Sequence, residues 1–350
     1  MAHPHPLVAV WELTWRCNLR CDHCLVEGGP SGRSELSTEQ ALALADDLAA
    51  LGIQRVTLTG GEPLFRRDWH QIAQRLVDHG CQVMLSCNGH LIRGQNLERV
   101  AALVSRVAVS IDGLPQTHDR LRHGVAGSSR SSHAEVMAAI ARLQAAAIEV
   151  EVITSVHPNN LHELLDIQAQ LRSAGVQRWM VQLAHATGRM AQEHMLSQAQ
   201  MLVLADTLSQ ACSDPILPPM VHHTIGWLSK EEPRLRSSGH PRQRFWRGSP
   251  CGNRMLALEP DGGVKGCPNQ VGAPFVVGSV QDEPLATIWA DRSRWHWLSL
   301  TAADAQGACA GCALAPVCGG GCPCVSVATT GRLFDNPWCI RAIRRMQEAG

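Results

Sequence analysis

Tyrosine is missing from all 350 residues, so no tyrosyl side chain can serve as a catalytic acid, base or radical relay. Net charge is missing too: 31 Lys and Arg stand against 31 Asp and Glu. By bulk electrostatics neither nucleic acid nor a membrane surface is a partner. No apolar run is long enough to span a bilayer. The start, Met1-Ala-His-Pro-His-Pro6, lacks the basic segment and apolar stretch of a signal peptide. The chain is therefore expected to be soluble and cytoplasmic. No internal repeat or low-complexity tract is present either.

What is there is cysteine, 14 of them. A disulfide framework suits a short secreted chain, whereas a long unsecreted one with this many thiols points to metal. Three lie in 17–24 and eight in 251–339, with only Cys81, Cys87 and Cys212 between. Cys81 and Cys87 flank an apolar run and read as small core residues. Cys17, Cys21 and Cys24 follow a short apolar strand in a polar loop with no fourth cysteine nearby. Three thiolates are one ligand short of a closed zinc site or a fully ligated four-iron cluster, which leaves an open metal position. A zinc knuckle completed by His23 or a distant residue is the competing reading.

Short β-branched runs alternate with helical stretches from residue 8 to about 185, with one further helix after the last strand. Strands are predicted at 8–13, 55–59, 82–86, 106–111, 149–155 and 177–183. Helices are predicted at 38–51, 68–79, 95–104, 132–146, 161–174 and 197–211. Ser37-Thr-Glu-Gln40 has the form of a capping box. Six βα units in series imply a parallel sheet with right-handed crossovers, two units short of a closed barrel. The fold class is thus α/β, a partial (β/α)6 barrel. Ligands bind such sheets at the C-terminal ends of the strands. Residues 17–24, 60–63, Asn88-Gly89 and Asp112-Gly113 all fall there. The expected domains are the barrel at 1–190, a bridging segment at 191–250 and a cysteine-rich domain at 251–350 that folds around metal.

The spacing Cys17-x3-Cys21-x2-Cys24, with aromatic-like His23 before the last cysteine and Gly60-Gly61-Glu62-Pro63 at the second strand's end, resembles the radical S-adenosylmethionine (radical SAM) superfamily. The resemblance covers about 8–185. It implies that Cys17, Cys21 and Cys24 hold three irons of a [4Fe-4S] cluster and that SAM chelates the fourth. Reduction then cleaves SAM to methionine and a 5′-deoxyadenosyl radical, which abstracts a substrate hydrogen. It also implies that Glu62 and the edge carrying Gly60, Gly61 and Pro63 receive the methionine amino group. Asn88 and Ser110 would contact the ribose, and Arg122 the SAM carboxylate. On the residues alone, Asn88-Gly89 and Asp112-Gly113 also read as plain turns and Arg122 as a solvated charge.

The second set is Cys251, Gly262, Cys267, then Cys309-x2-Cys312-x5-Cys318-x3-Cys322, with Gly319-Gly320-Gly321 inside, then Cys339. It resembles the SPASM domain, the seven-cysteine iron–sulfur extension of many radical SAM peptide and protein maturases. The resemblance implies two auxiliary iron–sulfur clusters, of [4Fe-4S] type. Cys309, Cys312, Cys318 and Cys339 would hold the distal one, and Cys251, Cys267 and Cys322 the proximal one. Some relatives carry an eighth cysteine just before the first; residues 243–250 have none. The proximal cluster then has an open iron, a non-cysteine ligand, or Cys324 or Cys212 as its fourth. A zinc ribbon remains the alternative for the Cys309–Cys339 set.

The SPASM resemblance implies radical modification of a ribosomally made peptide precursor by crosslinking, epimerisation or oxidation. A flavodoxin- or ferredoxin-type reductant would supply electrons. The chain starts at the first barrel strand, so leader recognition would fall to a separate protein or the barrel surface. Sulfatase maturases carry an aspartate directly after the second auxiliary cysteine, where Pro268 stands here. The alternative substrate is a tetrapyrrole or other small molecule, since some haem-pathway relatives share both domains. A plain iron–sulfur electron-transfer or scaffold protein is the reading outside enzymes.

Overall fold

The computed structural model describes residues 6–124, 131–227, 232 and 249–349. Most of the charged run at 230–236 and of the stretch at 243–250 lies outside the described residues. The chain divides into two compact units, each assembled from separated segments. Met1–Ser110, Arg122–Val150 and Pro250–Leu298 make the first; Ile111–Leu121, Glu151–Ser249 and Ser299–Gly350 make the second.

The first unit is built on strands β1 (Val8–Glu12), β2 (Arg55–Thr59), β3 (Gln82–Cys87) and β4 (Arg106–Ser110), which pair in parallel in that order. Helices α1 (Thr38–Ala50), α2 (Trp69–Asp78) and α3 (Gln95–Leu103) connect them. The capping box at α1 is formed: Gln40 N donates to Ser37 Oγ at 3.2 Å, and Ser37 N to Gln40 Oε1 at 2.9 Å. It starts a helix whose Ala41, Leu44, Ala45 and Leu48 are buried, one side chain every three or four residues. On β1 the β-branched and aromatic pattern buries Ala9 and Trp11 on one face.

Within the second unit, α4 (Pro115–Leu121) precedes β5 (Glu149–Val156), which reaches back into the first unit at its start. The helix between them, α5 (Ser132–Ala145), belongs to the first unit. Then come α6 (Leu164–Ser173), β6 (Arg178–Leu183), α7 (Gln198–Ala211) and β7 (Pro219–Val221). The strands β5, β6 and β7 pair in parallel. Asp112-Gly113 is a turn locked by Glu163, whose carboxylate accepts from Leu114 N at 2.8 Å and Thr117 Oγ1 at 2.6 Å.

Two parts of the chain carry more structure than their sequence suggests. The expected bridging segment contains β7, three residues long and led by a proline. The cysteine-rich C-terminal stretch contributes β8 (Met255–Leu258), β9 (Gly263–Lys265) and β10 (Gly278–Ser279) to the first unit, with β8 parallel to β1. Strands this short are below the length at which alternation can be recognised. The same stretch continues with α8 (Leu285–Ala290), and in the second unit with α9 (Ala315–Cys318), α10 (Pro323–Thr330) and α11 (Ile340–Ala349).

A buried ion triad joins β1 to β8 and β9. Lys265, only 1% exposed, places Nζ 2.9 Å from Glu12 Oε2 and 3.0 Å from Glu259 Oε1. Burial drives the Glu12 carboxyl up to about 7, although Lys265 pulls it down. Burial also penalises the lysine charge, but the two carboxylates outweigh it and Lys265 is held above its ordinary value. Removing one partner of such a set strands a charge in the interior. Lys265→Met is expected to cost about 3–5 kcal/mol, read as a lowered melting temperature of the holoenzyme. An unchanged melting temperature would show that the triad contributes nothing net.

Candidate active site

The loop after β1 is drawn against the end of β2 by backbone hydrogen bonds. Gly61 N donates to Thr14 O at 2.7 Å, and Glu62 N to Arg16 O at 2.8 Å. A Cβ on Gly61 would stand 2.3 Å from Arg16 O, and one on Gly60, where φ is +139°, 2.6 Å from Thr14 O. These glycines were expected to let backbone approach a ligand. What the structure brings that close is the cysteine loop itself. Glu35 steadies the same loop, accepting from Thr14 Oγ1 at 2.7 Å and Trp15 N at 2.9 Å.

All three cysteines of this loop receive N–H donors. Leu19 N points at Cys17 Sγ and Gly28 N at Cys24 Sγ, both at 3.4 Å. Asn88 Nδ2 lies 3.8 Å from Cys17 Sγ, and Arg122 Nη1 lies 3.9 Å from Cys21 Sγ. Burial, then the Glu62 carboxylate and the neighbouring thiols, push the Cys17 thiol up to about 12 against the Leu19 bond. Crowded sulfurs with donors aimed at them fit a positively charged iron centre, which favours thiolates. His23 is buried beside them.

Glu62 and Asn88, two further expected site residues, bond to this loop and to each other. Glu62, completely buried, accepts from Asn88 N at 2.8 Å and Leu64 N at 3.3 Å. Burial raises its carboxyl to about 7, with both N–H groups opposing. Pro63 opens a short 3-10 turn behind it. Asn88 also donates to Asn18 Oδ1 at 2.7 Å, so its amide is committed to the cysteine loop. Ser110 is the last residue of β4 and half-buried. Asp112-Gly113 belongs to the second unit, as the turn described above.

A second thiol site lies in the second unit. Cys309, Cys312, Cys318 and Cys339 line one cavity of about 30 Å³, with Trp227, Phe334 and Arg341 among its other walls. Each sulfur accepts a backbone N–H: Cys309 from Asn336, Cys312 from Leu314, Cys318 from Gly321 and Cys339 from Ala342. Burial pushes Cys309 up to about 11 and Cys318 up to about 12. Cys312 goes the other way: burial raises it, but Leu314 N, Arg341 and Arg345 together bring it below its ordinary value. Among the described residues no three His, Cys, Asp or Glu side chains are placed to hold a single metal ion. A cluster spreads its thiolates over several metal atoms, and four thiols around a cavity suit it.

The remaining cysteines divide between the units. Cys251 and Cys267 are buried in the first, Cys322 and Cys324 in the second, where they flank the start of α10. Cys212 caps the end of α7. Cys251 is fixed by Trp297, whose Nε1 donates to its carbonyl at 3.0 Å. Trp297 packs edge-on against Trp295, and Trp295 against Trp289. Cys267 sits in a turn where Gln270 Oε1 accepts from Gly266 N at 2.8 Å and Cys267 N at 3.1 Å. Cys81 and Cys87 are core residues, as expected.

A three-thiol loop at a strand end and four thiols around a cavity are the kind of donors that iron–sulfur clusters use. Known proteins narrow this. Residues 11–171 match the radical SAM superfamily, and 250–313 match the SPASM iron–sulfur cluster-binding domain. An AdoMet-dependent heme synthase from Methanosarcina barkeri (strain Fusaro / DSM 804) is 28% identical over 348 residues, 96% of this chain and 96% of that protein. The mycofactocin maturase MftC of Mycobacterium ulcerans (strain Agy99) is 28% identical over 339 residues, 95% of this chain and 86% of the maturase. The structure of native anSMEcpe with bound AdoMet and Cp18Cys peptide shares the fold, with a TM-score of 0.77 at 14% identity over 98% of this chain and 96% of that one.

The chain belongs to the radical SAM superfamily and carries a C-terminal SPASM domain. It is an enzyme whose cofactors are a [4Fe-4S] cluster, SAM and further iron–sulfur clusters. Among the described residues no helix is long and apolar enough to cross a membrane.

The tight pass at Gly61 yields a paired test. Gly61→Ala forces its new methyl into Arg16 O, whereas a Cβ on Gly29, in the same loop, meets nothing within 4 Å. Gly61→Ala is expected to lose about four irons per chain, one cluster's worth, while Gly29→Ala keeps its full iron content. Equal iron in the two purified variants would contradict this account of the loop.

Proposed function

We propose that this enzyme abstracts hydrogen from a side chain of a tetrapyrrole, using a 5′-deoxyadenosyl radical made from SAM. The observation that carries this reading is the similarity to an AdoMet-dependent heme synthase across 96% of both chains, through radical SAM and SPASM domains alike. Peptide-precursor modification, the first expectation from the SPASM cysteines, has the similarity to mycofactocin maturase MftC in its favour, over 86% of that protein. The likeness to anSMEcpe is one of fold, and Pro268 stands where sulfatase maturases carry their aspartate.

In this reading Cys17, Cys21 and Cys24 hold the cluster that receives SAM. Glu62 takes the methionine ammonium, with Gly60, Gly61 and Pro63 shaping that edge. Asn88 and Ser110 serve the ribose and Arg122 the SAM carboxylate. What supports the set is its placement: Glu62, Asn88 and Arg122 all contact the cysteine loop or each other. Cys251, Cys267 and Cys322 hold the proximal auxiliary cluster, which has an open iron, a non-cysteine ligand, or Cys324 or Cys212 as its fourth. Cys309, Cys312, Cys318 and Cys339 hold the distal one. A flavodoxin- or ferredoxin-type protein supplies the electrons.

The reconstituted enzyme, reduced under anaerobic conditions with SAM, is to be offered an iron porphyrin bearing propionate side chains, and separately a short peptide precursor. The porphyrin is expected to stimulate 5′-deoxyadenosine formation at least about tenfold, a barrier difference of roughly 1.4 kcal/mol, and to change mass. Cys17→Ala is expected to abolish both. Stimulation by the peptide and not by the porphyrin would overturn the tetrapyrrole reading.

A pH profile examines the Glu62 assignment. The carboxyl lies near 7, and only its ionised form attracts an ammonium. As pH falls below that value the protonated fraction grows, so SAM affinity should weaken by about tenfold per pH unit. Glu62→Gln should bind SAM weakly at every pH, with that slope gone. A wild-type affinity that stays flat between pH 7 and pH 5 would remove Glu62 from the ammonium site.

A further inference from the structure

On α11, Arg341 lines the four-thiol cavity and Arg345 follows one helical turn on, and each has a buried nitrogen with no acceptor among the described residues. Arg341 Nε and Arg345 Nη1 are both buried and without a hydrogen-bond partner. Arg341 lines the cavity, and its side chain hydrogen-bonds Cys312. Arg345 stands four residues on, one helical turn further, and donates through Nη2 to Ala310 O at 3.1 Å. Both guanidinium groups attract charge on Cys312. Neither is engaged by a carboxylate among the described residues. The acidic group near Cys309 is Asp335, which is taken by Arg332 at 2.6 Å. Arg344, between them on the helix, has Asp206 3.8 Å away.

A guanidinium remains charged at any physiological pH. Burying its N–H groups with no acceptor is costly, and burying the charge without an anion more so. A negatively charged group in the cavity that Arg341 lines would supply that acceptor and charge. Four thiolates and the sulfides of a cluster provide both the negative charge and the acceptors. The charge requirement is one-sided in redox terms. Reduction adds one electron and so one more negative charge, which two fixed cations stabilise over the oxidised state. Net charge around a cluster and hydrogen bonds to its sulfurs are among the determinants of its potential.

We propose that Arg341 and Arg345 are positioning residues that raise the reduction potential of the cluster held by Cys309, Cys312, Cys318 and Cys339, making it an electron-accepting relay. Four thiolates close the site to substrate, so its exchange is electron transfer alone. One electron from a flavodoxin- or ferredoxin-type reductant converts the oxidised to the reduced cluster, with no bond made or broken. The inference rests on the iron–sulfur reading of this cavity and is independent of whether the substrate is a tetrapyrrole or a peptide.

The test is a redox titration followed by electron paramagnetic resonance, on the holoenzyme and on a background in which Cys17, Cys21 and Cys24 are alanine so that auxiliary signals stand alone. Arg345→Met and Arg341→Met are each expected to shift one auxiliary signal and leave the other in place. The reduced-to-oxidised ratio at a fixed potential should fall about tenfold, which for a one-electron couple is a midpoint about 59 mV more negative. Arg341→Lys keeps the charge but loses the fork, and should shift less. The proposal is overturned if both methionine variants keep their iron and neither auxiliary midpoint moves. Should Arg341→Met shed about four irons, one cluster's worth, Arg345→Met decides: a displaced midpoint supports the assignment and an unmoved one refutes it.

Discussion

The first unit depends on one close approach, where the backbone of Gly60 and Gly61 runs against the carbonyls of Thr14 and Arg16. No side chain fits in that gap. The contact welds the ends of β1 and β2 and so fixes where the three-thiol loop begins. From there each later element can be placed: Glu62 turns inward and grips Asn88 N, and Asn88 reaches back to Asn18 and toward Cys17. The loop is short of regular structure, yet backbone bonds from β2 and a side-chain amide from the end of β3 leave it little freedom. Its geometry is inherited from the sheet.

Electrostatics imposes the second constraint. Thiols buried among other thiols resist ionisation, as Cys17, Cys309 and Cys318 show. The protein answers in the same way at both sites, by aiming N–H dipoles at sulfur and adding guanidinium charge. Arg122 serves Cys21, and Arg341 with Arg345 serves Cys312. Dipoles alone leave Cys17, Cys309 and Cys318 above their ordinary value, so the metal would supply the rest of the stabilisation. A fold organised in this way is completed by its clusters.

Much of this was legible in the sequence. Six strands and six helices fall within a few residues of their expected places, because capping residues and β-branched runs are local signals. Cysteine spacing is also local, and the four cysteines grouped from it at 309–339 line one cavity. What was hidden depends on contacts between distant residues. The glycines at 60 and 61 looked like ligand-facing residues, since nothing in the sequence shows that the cysteine loop lies over them. Lys265, Glu12 and Glu259 are far apart in sequence and ordinary in kind, and only burial makes them a triad. Nothing in the sequence marks Arg341 and Arg345, and only the fold shows that each buries a nitrogen without a partner among the described residues. The strands β8 to β10 were missed because two to four residues carry no period.

Ligand count separates the two sites chemically. Three thiols leave one metal position open, and an open position is where SAM can bind and react. Four thiols leave none, so whatever the distal site does must pass through electrons. The donors around them follow that division. At the first site Glu62, its carboxyl held near 7 by burial, bonds Asn88 N beside the cysteine loop, the place where the proposed reading puts an ammonium. At the second, Arg341 lines the cavity and hydrogen-bonds Cys312, with Arg345 one helical turn away. Neither arrangement specifies the substrate, and a peptide and a tetrapyrrole would use both alike. That is why the cysteines identify the superfamily, while the choice of substrate rests on resemblance along the whole chain.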